Sequence, residues 1–225
     1  MVMISNSEIM AFWLTVKLAL STMAILLLIG IPLAWWLSQS RSFIARIIES
    51  LVALPIVLPP TVLGFYLLIA FSPQTFIGGW FETVTNQQLA FSFWGILVGS
   101  LIYSLPFVIQ PLQSTFSDMD HQLLETAYSL GASKWDSFIN IVLPISRNGI
   151  ISAGLLCFAH TVGEFGVILM IGGNIPGETQ VLSIALFDAV ESMEYDKAHT
   201  ISAGLLVFAV FSLAVINYLK RPRRC

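Results

Sequence analysis

The residues best equipped for chemistry lie close together inside one long apolar run. Glu164 is an acid deep within it, His160 stands four residues earlier, and Thr161 sits beside that histidine. A carboxylate at the centre of a membrane helix costs about 3 kcal/mol on insertion scales, so Glu164 must face a bundle or a cavity rather than lipid. The i, i+4 spacing puts His160 and Glu164 on one helical face, where a hydrogen bond between them would lower that cost. Three readings stay open: a structural polar pair, a gate or path-lining group, and a metal or proton site. Two ligands without a third nearby make a poor metal site, and no metal is expected. Hydrolytic chemistry finds no support either. The chain has no His-Glu-x-x-His zinc motif and no Gly-x-x-x-x-Gly-Lys phosphate loop. Ser152 is two helical turns from His160, too far for an activated Ser–His pair. The chain is therefore expected to be no enzyme and to bind no cofactor of its own.

A second candidate is the turn-rich segment Gly172–Thr179, which carries Gly173, Asn174, Gly177 and Thr179. An apolar run, Val181–Phe187, follows it and could re-enter a membrane as a short helix. A Gly/Asn turn opening a helix presents free N–H groups that suit an oxyanion. The competing reading is a loop that docks a partner protein or packs on a second copy of the chain.

These residues must be positioned by membrane helices. Of 225 residues, 56% are hydrophobic and only 10% charged, whereas a soluble domain devotes about a quarter of its residues to charge. Mean hydropathy is +0.85. Thirteen acids against ten bases leave a net charge of −3, and no basic stripe exists for nucleic acid. So apolar a chain is not disordered. Cys157 lies in an apolar run and Cys225 is the last residue, so no disulfide framework is expected.

A spanning helix needs about 20 apolar residues. That ruler finds five candidates: Phe12–Leu37, Ile47–Phe71, Phe93–Phe116, Gly149–Ile171 and Ala198–Leu219. The first is too long for a signal-peptide core and lacks a basic flank, so it is expected to be retained. Pro55, Pro59 and Pro60 predict a kink in the second, as a static bend or a moving hinge, beside protein rather than lipid. Arg41, Arg46, Lys134, Arg147, Lys220, Arg221, Arg223 and Arg224 all fall on one side if the spans number five. The positive-inside rule makes that side the cytoplasm, with the N-terminus outside and the C-terminus inside. Only Lys17 and Lys197 oppose it, and Lys17 is close enough to a helix end to snorkel. The string Ile151–Ala159 recurs almost unchanged as Ile201–Ala209, in spans of opposite direction. Both are expected to offer a small-residue face for close packing.

The most polar stretch, residues 118–147, joins spans three and four. Leu123, Leu124, Ala127, Tyr128 and Leu130 mark one face of a short helix, and Gly131 ends it. Ser133 caps a second helix through Ile141, with Pro144 as its stop. Glu125-Thr126-Ala127, three residues, Gly131, nine residues, then Ile141-Val142-Leu143-Pro144 resembles the EAA signature of ABC importer permeases. Thr126 replaces an alanine of that pattern, small for small. Leu54–Gly64 is similar to the LP-x-V-LPP-x-V-x-G segment of molybdate permeases. Gly163–Gly166 and Gly173–Thr179 resemble the GEFG and GNIPGxT strings of molybdate and sulfate permeases.

The resemblance covers nearly the whole chain and implies one transmembrane domain, residues 1–225, with the type I ABC importer permease fold. By that likeness, Glu125, Thr126, Ala127, Gly131, Leu143 and Pro144 form the coupling loop that meets a cytoplasmic ATPase. The family further implies a homodimer, two ATPase subunits that use the ATP and magnesium, and a periplasmic oxyanion-binding protein. The short length looks more like molybdate than sulfate permeases, with tungstate an equivalent cargo. Acids dominate the outer loops, so an anion path would have to rely on weak dipoles, for which Thr61, Ser100, Ser104 and Thr161 are candidates.

Overall fold

In the computed structural model, which describes residues 6–220, every regular element is helical. Helix α1 (Asn6–Gln39) stays continuous through Pro32. Its Leu14 and Leu18 cluster with Ile96 and Leu97 at one end, and its Leu37 joins Leu112 and Phe116 at the other. The second partner in those contacts is α5 (Phe93–Ser117), so α1 and α5 run in the same direction. The last helix among the described residues, α12 (Tyr195–Lys220), begins beside the start of α1, where Ala11, Ala185 and Ile201 meet. These three helices are long and apolar enough to cross a membrane, and two bent pairs raise the number to as many as five.

The first bent pair is α2 (Phe43–Val57) and α3 (Pro60–Ala70), turned by 112°. The sequence predicts a kink; the chain makes a break. Leu58 is extended, with φ −74° and ψ 135°, the conformation that a following proline imposes. Pro60 then opens α3 at a position where a missing N–H costs nothing. The fourth expected span is also discontinuous. Helix α9 (Arg147–Gly163) ends at Glu164, whose φ of −69° and ψ of 129° are extended, and α10 (Gly166–Gly172) resumes beyond Phe165.

The two breaks pack on each other. A Cβ placed on Gly166 would lie 2.8 Å from Cβ of Pro60, and one on Gly64 would lie 2.7 Å from Cβ of Met170. Between α3 and α5, α4 (Phe76–Thr85) is capped by Thr75, whose hydroxyl accepts from Gly78 N.

The segment after α5 contains α6 (His121–Ser129), capped by Asp120, and α7 (Lys134–Ser137), capped by Ser133 as expected. A π-helical turn, Phe138–Val142, follows α7 and leads into α8 (Leu143–Ile145). Pro144 therefore does not stop this helix, contrary to the expectation from sequence. The wider turn accommodates a residue that has no N–H to donate and whose ring crowds the preceding turn. The chain bends by 70° only at Ser146, where α9 begins. Trp35 touches Phe116 and Phe138, each at 5.6 Å between ring centroids. The end of α1, the end of α5 and the 118–147 segment thus share one end of the bundle. Arg46, Lys134 and Arg147 lie on the elements that meet there and Arg41 in the link between α1 and α2; Arg221, Arg223, Arg224 and Cys225 fall outside the described residues.

Helix α11 (Leu182–Glu191) matches the expected short helix and buries Ser183, Ile184, Ala185 and Ala189. The repeated strings face each other on α9 and α12 through Phe158 and Phe208, 5.8 Å apart. Only one of the two small faces is used. On α9, Ser152, Ala153 and Gly154 are buried, with Met23 and Leu27 over Gly154. On α12, Ser202, Ala203 and Gly204 are exposed, and a Cβ on Gly204 would meet nothing within 4 Å.

Gly64→Val should therefore destabilise the purified protein by about 1–3 kcal/mol through overpacking, whereas Gly204→Ala should be neutral or slightly stabilising. Thermal unfolding of both variants in detergent checks this, and equal losses would contradict the packing of the breaks.

Candidate functional site

Five of the six proposed path residues converge at the α9/α10 break. Ser100 and Ser104, one turn apart on α5, are fully buried; Thr161 and Glu164 are nearly so. The expected His160–Glu164 hydrogen bond is not made. Because the helix ends at Gly163, the i, i+4 geometry is lost before Glu164 is reached. His160 Nδ1 instead pairs with Ser104 Oγ at 3.0 Å, and that hydroxyl also meets Thr161 Oγ1 at 3.1 Å. The imidazole stacks on Phe107 with centroids 3.8 Å apart and is flanked by Tyr103 at 5.1 Å. Thr61 is not part of this group; it is exposed at the start of α3.

Glu164 is held by its backbone and not by its side chain. Its carbonyl accepts from Ser183 Oγ of α11 at 2.5 Å, and its N–H reaches Thr161 O at 3.3 Å. Both carboxyl oxygens are buried without a hydrogen-bond partner, as is the hydroxyl of Ser100, which neighbours the carboxyl. Buried polar groups are nearly always bonded, and an unbonded one calls for a specific cause. The described residues contain no cluster of three or more His, Cys, Asp or Glu side chains able to hold a metal. What the arrangement offers is a buried acid at the meeting of two helix breaks, beside a row of hydroxyls.

The Gly172–Thr179 turn has its polar groups engaged. Gly173 and Gly177 take positive φ of 64° and 80°. Thr179 Oγ1 donates to Gly172 O at 2.7 Å and accepts from Ile175 N at 3.2 Å. Asn174 Nδ2 donates to Asp188 at 3.2 Å, and Gln180 donates to Asn174 Oδ1 at 2.7 Å. At the start of α11, Leu182 N–H is taken by Thr15 Oγ1 at 2.8 Å. The free N–H groups that the sequence suggests for this helix are thus partly consumed by α1.

The 118–147 segment presents a mixed surface. Leu124 is buried in the main core, while Glu125, Thr126 and Pro144 are exposed and Ala127 and Leu143 are half-buried. Gly131 has φ +90°, a conformation that suits glycine alone. It lets Ala132 N reach back to Ala127 O at 3.0 Å and close the helix end. Leu130 and Trp135 stand 85% and 71% exposed, an apolar patch where a monomer would normally be polar.

Sequence reasoning missed Tyr103 and Phe107 as the walls around His160, and Ser183 as the donor that ties α11 to the break. Ser100 and Ser104 at i, i+4 were a usable signal for a polar face on α5. For Ser183, nineteen residues beyond Glu164 in an ordinary apolar helix, no local signal exists.

An all-helical bundle with paired broken spans and an exposed connecting segment at one end is that of a multi-pass membrane protein. The chain belongs to the family of binding-protein-dependent transport system inner membrane components, which matches residues 10–221. It is 46% identical to the molybdenum transport system permease protein ModB of Azotobacter vinelandii, over 97% of this chain and 96% of that one. It is 33% identical to the probable sulfate transport system permease protein cysT of Chlorella vulgaris, over 92% of this chain and 77% of that one. The fold matches a crystal structure of a bacterial alginate ABC transporter with a TM-score of 0.73 at 19% identity, over 96% of this chain and 77% of that one. The architecture is therefore the type I ABC importer permease fold that the motifs implied.

Ser104→Ala would leave His160 and Thr161 without their shared partner and should cost about 1–3 kcal/mol. Glu164→Gln breaks no side-chain hydrogen bond, so its stability should equal or exceed that of the parent. Thermal unfolding distinguishes the two, and a strongly destabilised Glu164→Gln would show that the carboxyl is bonded after all.

Proposed function

We propose that this chain is the permease subunit of an ATP-driven importer of molybdate. The observation that carries the reading is the 46% identity to a molybdenum permease along almost the full length of both chains. On this reading two copies form a homodimer around the anion path, and two cytoplasmic ABC ATPases hydrolyse ATP while this chain does not. A periplasmic binding protein delivers the anion. The end bearing Arg41, Arg46, Lys134 and Arg147 is the cytoplasmic one, with the N-terminus outside, as the positive-inside rule requires.

The geometry suggests how force reaches the path. The exposed segment with Glu125, Thr126, Ala127, Gly131, Leu143 and Pro144 docks on the ATPase through its apolar patch around Leu130 and Trp135. From there α8 and α9 lead directly to the break at Glu164. Closure of the ATPases would tilt α9 against α10 and open or shut the junction with α3, an alternating-access movement of rigid pieces. Ser100, Ser104, His160, Thr161 and Glu164 stand at that junction as path or gate groups. Thr61 joins them if the break swings α3 inward. Gly173, Asn174, Gly177 and Thr179 shape the outer loop that meets the binding protein.

A sulfate permease of the same fold is the second reading, favoured by the 33% identity to the sulfate protein. Proteoliposomes containing the chain, its ATPase and its binding protein test both. ATP-dependent uptake of molybdate that excess tungstate suppresses and excess sulfate does not is expected; the reverse order of competition establishes sulfate. If no ATPase co-purifies with the tagged chain, the importer reading fails in favour of a channel or secondary carrier. Gly131→Glu should abolish ATP-driven uptake with membrane levels unchanged, and normal uptake would remove the coupling role from this segment.

A further inference from the structure

At the end of the bundle away from residues 118–147 lies a cavity of about 480 Å³ between α1, the chain leading into α5, and the turn at Gly177. Its charged lining consists of Lys17 and Glu178, and Gln87 and Gln88 also line it. The Lys17 ammonium rests 4.1 Å from the centre of the Phe93 ring. It pairs with no carboxylate among the described residues; the ion pair found there joins Lys197 to Glu194 at 3.4 Å. Glu178 is exposed and unpaired as well. Two opposite charges thus border one cavity without meeting each other.

The depth of the cavity identifies its surroundings. Leu18–Leu37 contains no charge and, as helix, extends about 30 Å, the thickness of the hydrocarbon core. Lys17 therefore stands at headgroup level. Trp94 lines the cavity and is 51% exposed, and Trp13 one turn above Lys17 is 64% exposed, as expected for tryptophans of the membrane interface.

We propose that this cavity binds the headgroup of an amine-bearing phospholipid, with the phosphodiester on Lys17 and the primary ammonium on Glu178. An ammonium over a ring keeps donors free for a phosphate oxygen, and a carboxylate lining the same cavity disfavours a lipid or free ion carrying negative charge alone. The complementarity is to a zwitterion with one charge of each sign. The inference requires only that the chain sits in a bilayer, so it stands apart from the identity of the transported anion.

Native mass spectrometry of the delipidated full-length chain tests it, with phosphatidylethanolamine, phosphatidylglycerol and phosphatidylcholine of identical acyl chains as probes and inorganic phosphate as the free-anion control. One phosphatidylethanolamine per chain should bind most tightly, since the quaternary headgroup of phosphatidylcholine cannot donate hydrogen bonds. Lys17→Gln should weaken that binding roughly tenfold, the effect of losing one charged hydrogen bond, while Lys17→Arg should retain it. Glu178→Gln, at an exposed position, should remove the preference over phosphatidylglycerol. Equal binding by the parent and Lys17→Gln, or no discrimination among the three lipids, overturns the proposal. Lys17-dependent binding of inorganic phosphate as tight as that of the lipid also overturns it, in favour of a free-anion site.

Discussion

A bilayer offers no water to a polar backbone, so any break in a spanning helix must be satisfied by protein. This chain breaks two spans and brings the breaks together, and most of its architecture follows from that requirement. At the first break the problem is reduced by composition, because Pro59 and Pro60 have no N–H to satisfy. At the second, the freed carbonyl of Glu164 accepts from Ser183, which explains why α11 returns into the bundle. Gly64 and Gly166 allow the broken ends to approach closely. The backbone is thus accounted for, while the Glu164 carboxyl is left without a bond.

That asymmetry separates structure from function at the site. The seam between α5 and α9 is fastened by Ser104, His160 and Thr161 and by the stack of His160 on Phe107. The junction between α3 and α10 has apolar packing and close backbones, with no side-chain hydrogen bond among the described residues. Fastened seams move as units, and lightly held junctions are where such units part.

Much of this was legible in the sequence because membrane helices announce themselves by hydropathy and because proline, glycine and charge punctuate them. The span count, the caps at Ser133, the end at Gly131 and the short helix after Val181 all follow from local rules. The errors share one cause. The His160–Glu164 pair assumes ideal helical periodicity and the stop at Pro144 assumes that proline ends a regular helix, and the chain departs from a regular α-helix at both places. A break after Gly163 and a π turn before Pro144 depend on packing between distant segments, which spacing along one segment does not encode. Ser183 and Phe107 were invisible for the same reason.

The imidazole laid against Phe107, only 3.8 Å from its centroid, also equips the molecule with an internal reporter. Protons held over an aromatic face lie in the shielding region of its ring current. The carbon-bound protons of His160 would therefore resonate upfield of an ordinary histidine while α5 and α9 stay fastened. A chain labelled only at histidine contains three such residues, so that signal is readily singled out. Its position would read, in magnetic-field units, whether the seam holds while the junction opens.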